Sequence, residues 1–113
     1  MKKLALLLLL VPFALLAAPD DKTVTLTGEV VDLHCYTSRG AHGEEHAGCA
    51  NACISRDVPA GFLTEDGTLY LLVNEKKNTV KEKVARKPGK KLTATGRVVE
   101  RSGMKVLQLM TLE

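Results

Sequence analysis

The sequence predicts a small, mainly β protein: a five-stranded barrel with one Cys/His-bearing helix between strands 1 and 2 and a short helix between strands 3 and 4. Five segments carry the apolar and polar alternation of half-buried strands or the composition of a hairpin. Every cysteine and histidine of the chain falls in one segment, directly after the first strand. The length beyond an apolar N-terminal run suits one domain with a modest core.

The N-terminus has the pattern of a secretory signal peptide. Lys2 and Lys3 precede an uncharged apolar run over residues 4–16, and the small residues Ala17 and Ala18 follow. A run of this length fits a signal peptide and is too short to cross a bilayer of about 30 Å as a helix. We expect residues 1–17 to be removed and residues 18–113 to form a single exported domain, periplasmic or extracellular, without a membrane span. An uncleaved N-terminal anchor is the alternative.

The charge of the chain gives no indication of nucleic-acid binding. The formal net charge of +3 falls to +1 when the two lysines of the leader are removed. Tryptophan is absent, and the aromatic residues beyond the leader are Tyr36, Phe62 and Tyr70. A surface for nucleic acid would need a basic stripe and stacking side chains, so we expect no nucleic-acid partner.

The elements follow from local patterns along the chain. Asp66-Gly67 predicts a tight hairpin turn, and Thr79 with Glu82 forms a possible capping box for the short helix. Residues 34–43, which are rich in glycine, are predicted to form a loop. The predicted strands cover residues 22–33, 62–65, 68–74, 91–101 and 104–112, and the predicted helices cover 44–56 and 80–87.

Strand alternation also predicts which side chains face the core. The expected core residues are Val24, Leu26, Val30, Leu69, Leu71, Val73, Val84, Leu92, Val98, Val106 and Leu107. The first and fourth strands share the pattern Thr-x-Thr-Gly-x-Val-Val, with Gly28 and Gly96 at equivalent positions. A glycine in mid-strand indicates a bend or bulge, so we expect both strands to turn a corner of the barrel there.

Five strands with a helix between the third and fourth resemble the OB-fold, a small Greek-key barrel. That resemblance implies that the connection between strands 1 and 2, which here holds the cysteines and histidines, is a ligand-binding loop. The segments TGEVVDLHCY, HAGCANAC and DGTLYLL are also similar to small uncharacterised secreted bacterial proteins. This second similarity implies no particular activity.

Three cysteines and three histidines lie within residues 34–53. His46, Cys49 and Cys53 share one stripe of the predicted helix, and the helix can fold back onto Cys35. One interpretation is a disulfide from Cys35 to Cys49 or Cys53, which suits an oxidising compartment. The other is a Zn or Cu(I) site formed by the three cysteines with one histidine. The histidine ligand is expected to be His46 or His34, with His42 as a weaker candidate.

The same cluster does not match known redox or catalytic patterns. Cys49 and Cys53 are separated by three residues, which is neither the C-x-x-C redox motif nor the haem-attachment motif. His34 and Cys35 would point to opposite faces of a strand, so one cannot activate the other. We therefore expect no enzyme and no organic cofactor. The sequence predicts an exported module that binds a soft metal ion or, alternatively, a disulfide-stapled module that docks an envelope protein without metal or catalysis.

Overall fold

The computed structural model describes residues 22–113 of the chain. The predicted signal peptide, and residues 18–21 of the predicted domain, lie outside these residues. The strands are β1 (Thr23–Asp32), β2 (Ala60–Thr64), β3 (Leu69–Asn74), β4 (Leu92–Arg101) and β5 (Met104–Leu112). The helices are α1 (Leu33–Arg39), α2 (Ala47–Ser55) and α3 (Lys81–Val84), and a 3₁₀ turn (Glu44–His46) precedes α2.

The five strands close into a barrel in the order β1-β2-β3-β5-β4, with β4 paired to β1. All neighbouring strands are antiparallel except β3 and β5, which are parallel. The protein is therefore mainly β, as the sequence predicts, and its barrel has five strands. Closure leaves no unpaired strand edge along the sheet, which protects a small β protein from pairing with other chains.

Gly28 and Gly96 allow two strands to approach their neighbours closely. A Cβ atom at Gly28 would collide with the backbone carbonyl of Leu63, and one at Gly96 would collide with that of Gln108. The β4–β5 register also shifts between Thr95 and Gly96. The shared glycine of the two strands thus marks equivalent close contacts in the barrel, and the bulge expected at Gly96 is present.

The core contains part of the predicted set and several residues that the prediction omitted. Val30, Val84, Leu92 and Leu107 are buried in it, as predicted. The predicted residues Val24, Leu26 and Val98 are half-buried and pack against it. The other buried members of the core are Ile54, Ala60, Phe62, Leu72, Ala94 and Leu109.

The prediction of which face of β3 points into the core was wrong. Leu69, Leu71 and Val73 are half-buried and lie outside the core cluster, whereas Leu72 is buried and Tyr70 packs against the core. The sequence Leu-Tyr-Leu-Leu-Val is apolar at nearly every position, so alternation alone does not fix its phase. The prediction that Val106 of β5 belongs to the core was also wrong, because Leu107 and Leu109 form the buried face of this strand. Strand β5 likewise has apolar residues on both faces.

The predicted loop over residues 34–43 contains a helix. Helix α1 begins after Asp32, whose side chain caps its first turn, and it ends at Gly40 in the left-handed conformation. Two good caps allow seven residues to form a helix despite the glycines that follow. The predicted helix over residues 44–56 is divided, since a 3₁₀ turn covers its first three residues and α2 begins at Ala47.

The predicted helix over residues 80–87 is shorter in the structure. Helix α3 covers Lys81–Val84. Arg86, at φ 61°, cannot continue the helix. The predicted capping box between Thr79 and Glu82 is replaced by a different contact: the Thr79 hydroxyl accepts a hydrogen bond from the Lys81 N–H. In the part of the chain that the structure describes, none of the helices is long and apolar enough to cross a membrane.

Candidate metal centre

Three cysteine sulfurs from α1 and α2 come together, and both of these helices contact β1. Cys35 lies in the first turn of α1, while Cys49 and Cys53 lie one turn apart on α2. The three Sγ atoms all lie within 4.8 Å of one another. Sulfur ligands about 2.3 Å from a tetrahedral zinc ion stand about 3.8 Å apart. Each sulfur pair would therefore need to close by at most about 1 Å to hold an ion.

The three cysteines are free thiols in the structure. The predicted alternative, a disulfide from Cys35 to Cys49 or Cys53, is thus not formed. Their accessibility differs in a regular way: Cys35 is buried, Cys53 is half-buried and Cys49 is exposed. The cluster is consequently closed on the side of the barrel and open on the side of α2.

Asp32 connects the barrel to this cluster. It is the last residue of β1, and its side chain is fully buried. Its Oδ1 atom accepts a hydrogen bond of 2.8 Å from the Cys35 N–H, which is the cap of α1. Loss of such a cap costs about 1 kcal/mol. Asp32 therefore fixes the first turn of α1 and, with it, the position of Cys35.

His46 completes a second group around the same carboxylate. Its Nε2 atom lies 2.9 Å from Oδ2 of Asp32, and its side chain is 13% exposed. The ligand atoms of Asp32, Cys35 and His46 lie within 4.8 Å of one another. Among residues 22–113, this group and the three cysteines are the two clusters that could hold a metal ion, and Cys35 belongs to both.

The hydrogen bonds determine the state of the Asp32–His46 pair. Burial alone would raise the pKa of Asp32, but hydrogen bonds from the Cys35 N–H and from His46 hold it below its usual value. Asp32 is therefore ionised at neutral pH and can only accept hydrogen bonds. It follows that the N–H at Nε2 of His46 donates a hydrogen bond to Oδ2 of Asp32. His46 would have to give up that proton to bind a metal through Nε2.

The environment of Cys35 does not produce a reactive thiolate. Burial raises the pKa of its thiol to about 11, and the hydrogen bond with Asp32 and its negative charge act in the same direction. Burial also raises the pKa of Cys53, and the charge of Asp32 adds to the effect. An activated nucleophilic cysteine needs a lowered pKa. Burial and Asp32 thus favour the neutral thiol at Cys35 and at Cys53.

Arg39 provides the positive charge beside the cluster. Its Nη2 atom donates a hydrogen bond of 3.6 Å to Sγ of Cys35 from one turn further along α1. This charge lowers the pKa of Cys35 and partly opposes burial and Asp32. A thiolate at Cys35 would therefore have a cation in contact with it, which is what a buried negative charge requires.

The other two histidines are not part of the cluster. His34 is exposed on α1 and belongs to neither group of potential ligands. The His42 side chain is 51% exposed, and its Nδ1 atom lies 2.6 Å from Oε1 of Glu29. Glu29 also accepts a hydrogen bond of 2.8 Å from the Gly43 N–H, so this pair anchors the loop after α1. The predicted ligands His34 and His42 therefore lie outside both groups of potential ligands.

Asp32 is the residue of the site that the sequence prediction missed. Aspartate is a preferred helix N-cap, and Asp32 stands three residues before Cys35. That spacing signals a helix start, but the glycines of residues 34–43 favour a loop there.

Comparisons with models of protein families, with curated proteins and with solved structures find no match for this chain.

Proposed function

We propose that the protein is an exported binding module that holds one soft metal ion, Zn²⁺ or Cu(I), through the thiolates of Cys35, Cys49 and Cys53. The observation that carries the proposal is the convergence of all three sulfurs within 4.8 Å, although they come from two helices. Thiolate ligands select soft ions of this class. The N-terminal signal pattern supports export, and metal binding would keep the thiols reduced in an oxidising compartment.

Asp32 and His46 support this site in the proposed arrangement. The carboxylate orients the turn that carries Cys35 and holds His46 beside it. Groups that orient metal ligands in this way typically change metal affinity by about 10–100-fold when removed. His46 is also the candidate for a fourth ligand, since four-coordinate zinc needs one donor beyond three thiolates.

The strand order supports an OB-like Greek-key barrel as the scaffold. The support is a closed barrel of five strands in the order β1-β2-β3-β5-β4, with β3 parallel to β5 and the other neighbours antiparallel. The helices that carry the cysteines stand between β1 and β2, in the connection that such barrels use for ligands. The site is thus where a binding function is expected.

Native mass spectrometry of the reduced chain from residue 18 tests the proposed function. Addition of Zn²⁺, or of Cu(I) without oxygen, is expected to give one bound ion per chain. Cys35→Ser, Cys49→Ser and Cys53→Ser should each weaken binding strongly, while His46→Ala should weaken it by about 10–100-fold. His34→Ala and His42→Ala are the matched controls and should bind as the unchanged protein does.

Two results would contradict the metal proposal. One is a metal-free protein that is 2 Da lighter than the reduced chain when isolated from its own compartment, because that mass indicates a disulfide. The other is equal binding by the cysteine variants and the histidine controls. The first result would favour the alternative module, which is stapled by a disulfide and docks an envelope protein.

A further inference from the structure

The metal centre is accessible from one side, and the three ligands differ in depth. Cys35 is 6% exposed and is held by Asp32 and Arg39. Cys53 is half-buried, whereas Cys49 is exposed on α2. At Gly48, directly before Cys49, an added Cβ atom would find no heavy atom within 4 Å. The exposed ligand therefore stands beside open space.

We propose that this site passes its metal ion to or from a cysteine thiolate of a partner protein, with Cys49 as the ligand that is exchanged. The inference rests on the proposed function, since it concerns how the bound ion enters and leaves. A permanent structural site is closed by its ligands, whereas a site with an accessible position can accept another donor. Here another donor can reach the ion from the side of the site where Cys49 is exposed.

The exchange step conserves atoms and electrons. An incoming thiol gives its proton to solvent, and its sulfur forms a bond to the ion. The bond between the ion and Sγ of Cys49 then breaks, and the Cys49 thiolate takes up a proton. The ion keeps its oxidation state throughout. Cys35 and Cys53 lie deeper, so their bonds to the ion would break after the bond of Cys49, as further donors of the partner replace them and each released thiolate takes up a proton.

The partner chemistry follows from the ion and from the shape of this surface. A soft ion bound by thiolates exchanges most readily with another soft ligand, and in proteins the usual one is cysteine. Cys49 is exposed and the space at Gly48 directly before it is open, so a second chain can approach Cys49 from this side. The positive charge of Arg39 at the cluster suits an approaching anion such as a thiolate.

Metal transfer kinetics test this proposal with the chain from residue 18 loaded with one Zn²⁺. The ion is captured by a fixed excess of the chromophoric chelator 4-(2-pyridylazo)resorcinol while glutathione is added as the probe thiol. The rate constant of transfer should rise in proportion to the glutathione concentration. S-methylglutathione is the matched control, because it has the same peptide without a free thiol, and it should not accelerate transfer.

Brief labelling with iodoacetamide during transfer identifies the ligand that leaves. Cys49 should be alkylated before Cys35 and Cys53, as peptide mapping by mass spectrometry would detect. A transfer rate that does not respond to glutathione, or initial labelling at Cys35, would overturn the exchange proposal while leaving metal binding intact. Failure of the chain to load Zn²⁺ or Cu(I) at all would instead overturn the proposed function.

Discussion

Asp32 is the residue on which the site depends most. It is fully buried and receives hydrogen bonds from the backbone of α1 and from His46. A buried polar group that loses a partner costs about 1–3 kcal/mol. The contribution of Asp32 is therefore large compared with that of an exposed carboxylate, even when no metal is bound.

Asp32→Asn should lower the free energy of unfolding of the metal-free protein by about 1–3 kcal/mol. The amide can still accept from the Cys35 N–H, but its NH₂ group then faces the N–H at Nε2 of His46, so two donors oppose each other. Urea denaturation with a reductant and a chelator measures the effect. Asp57→Asn is the control, because Asp57 is 81% exposed and its ion pair with Lys81 should contribute about 1 kcal/mol or less. Equal effects of the two substitutions would contradict this role.

Asp66 gives a pH dependence that does not involve the cysteine cluster. Its carboxylate accepts hydrogen bonds from the Thr64 hydroxyl and the Thr68 N–H, and these hold its pKa below the usual value. A lowered folded-state pKa stabilises the protein at pH values above about 3.9, and this stability is lost as the pH falls through the folded-state pKa. The turn after β2 should therefore weaken in acid.

Asp66→Asn should remove this part of the acid dependence. The difference in unfolding free energy between the unchanged protein and the variant is expected to shrink as the pH falls from about 6 towards 2. Thermal unfolding across this pH range provides the measurement. Thr64→Val removes the strongest donor to the carboxylate and should reproduce part of the loss. A difference that grows in acid would contradict the assignment.

At the residue scale, the sequence was sufficient to predict that the three cysteines come together. It was insufficient to predict which side chains surround them. Cys49 and Cys53 are one helical turn apart, so their common face follows from helix geometry. Cys35 meets them because the intervening chain is short. The role of Asp32 as a cap depends on α1, and residues 34–43 have the composition of a loop. This role could therefore not be predicted from the sequence alone.

At the element scale, local signals identified the strands better than their faces. The strongly alternating β1 was predicted almost to its ends, with Val30 correctly buried. The apolar residues of β3 occupy both faces, so its inward side is decided by pairing with β2 and β5. Short helices such as α1 depend on their caps, since few hydrogen bonds stabilise seven residues.

The same substitution at two glycines should have opposite effects. Gly28→Ala places a methyl group against the carbonyl of Leu63 and should lower the unfolding free energy by about 2–3 kcal/mol. Gly48→Ala adds a methyl group in open space within α2 and should raise it by up to about 1 kcal/mol. Urea denaturation of the two variants tests both effects. Equal stability of the variants would contradict the barrel contact assigned to Gly28.

At the scale of the whole molecule, the cysteine cluster lies between the two helices that carry it and the barrel. The described domain has a small core, and α1 and α2 meet through the cysteine cluster beside β1. An ion that binds the folded chain and not the unfolded one stabilises the folded state in proportion to its occupancy. With an ion bound, the cluster would therefore stabilise the folded domain as a disulfide bond would.

Zn²⁺ should stabilise the domain in a concentration-dependent way. At a free concentration 100 times the dissociation constant, the expected gain in unfolding free energy is about 2.7 kcal/mol. Thermal or chemical unfolding at several metal concentrations measures this gain, and Cys35→Ser should remove most of it. No stabilisation of the unchanged protein at saturating Zn²⁺ would contradict the proposed link between metal and fold.

The most direct test of the central claim is X-ray absorption spectroscopy at the zinc edge of the chain loaded with one Zn²⁺. The proposed site places three cysteine sulfurs around the ion at about 2.3 Å, with one nitrogen or oxygen donor at about 2.0–2.1 Å. In Cys49→Ser loaded in the same way, the sulfur count should fall by one. A first shell of nitrogen and oxygen alone, or an identical shell in the variant, would contradict a metal centre built by Cys35, Cys49 and Cys53.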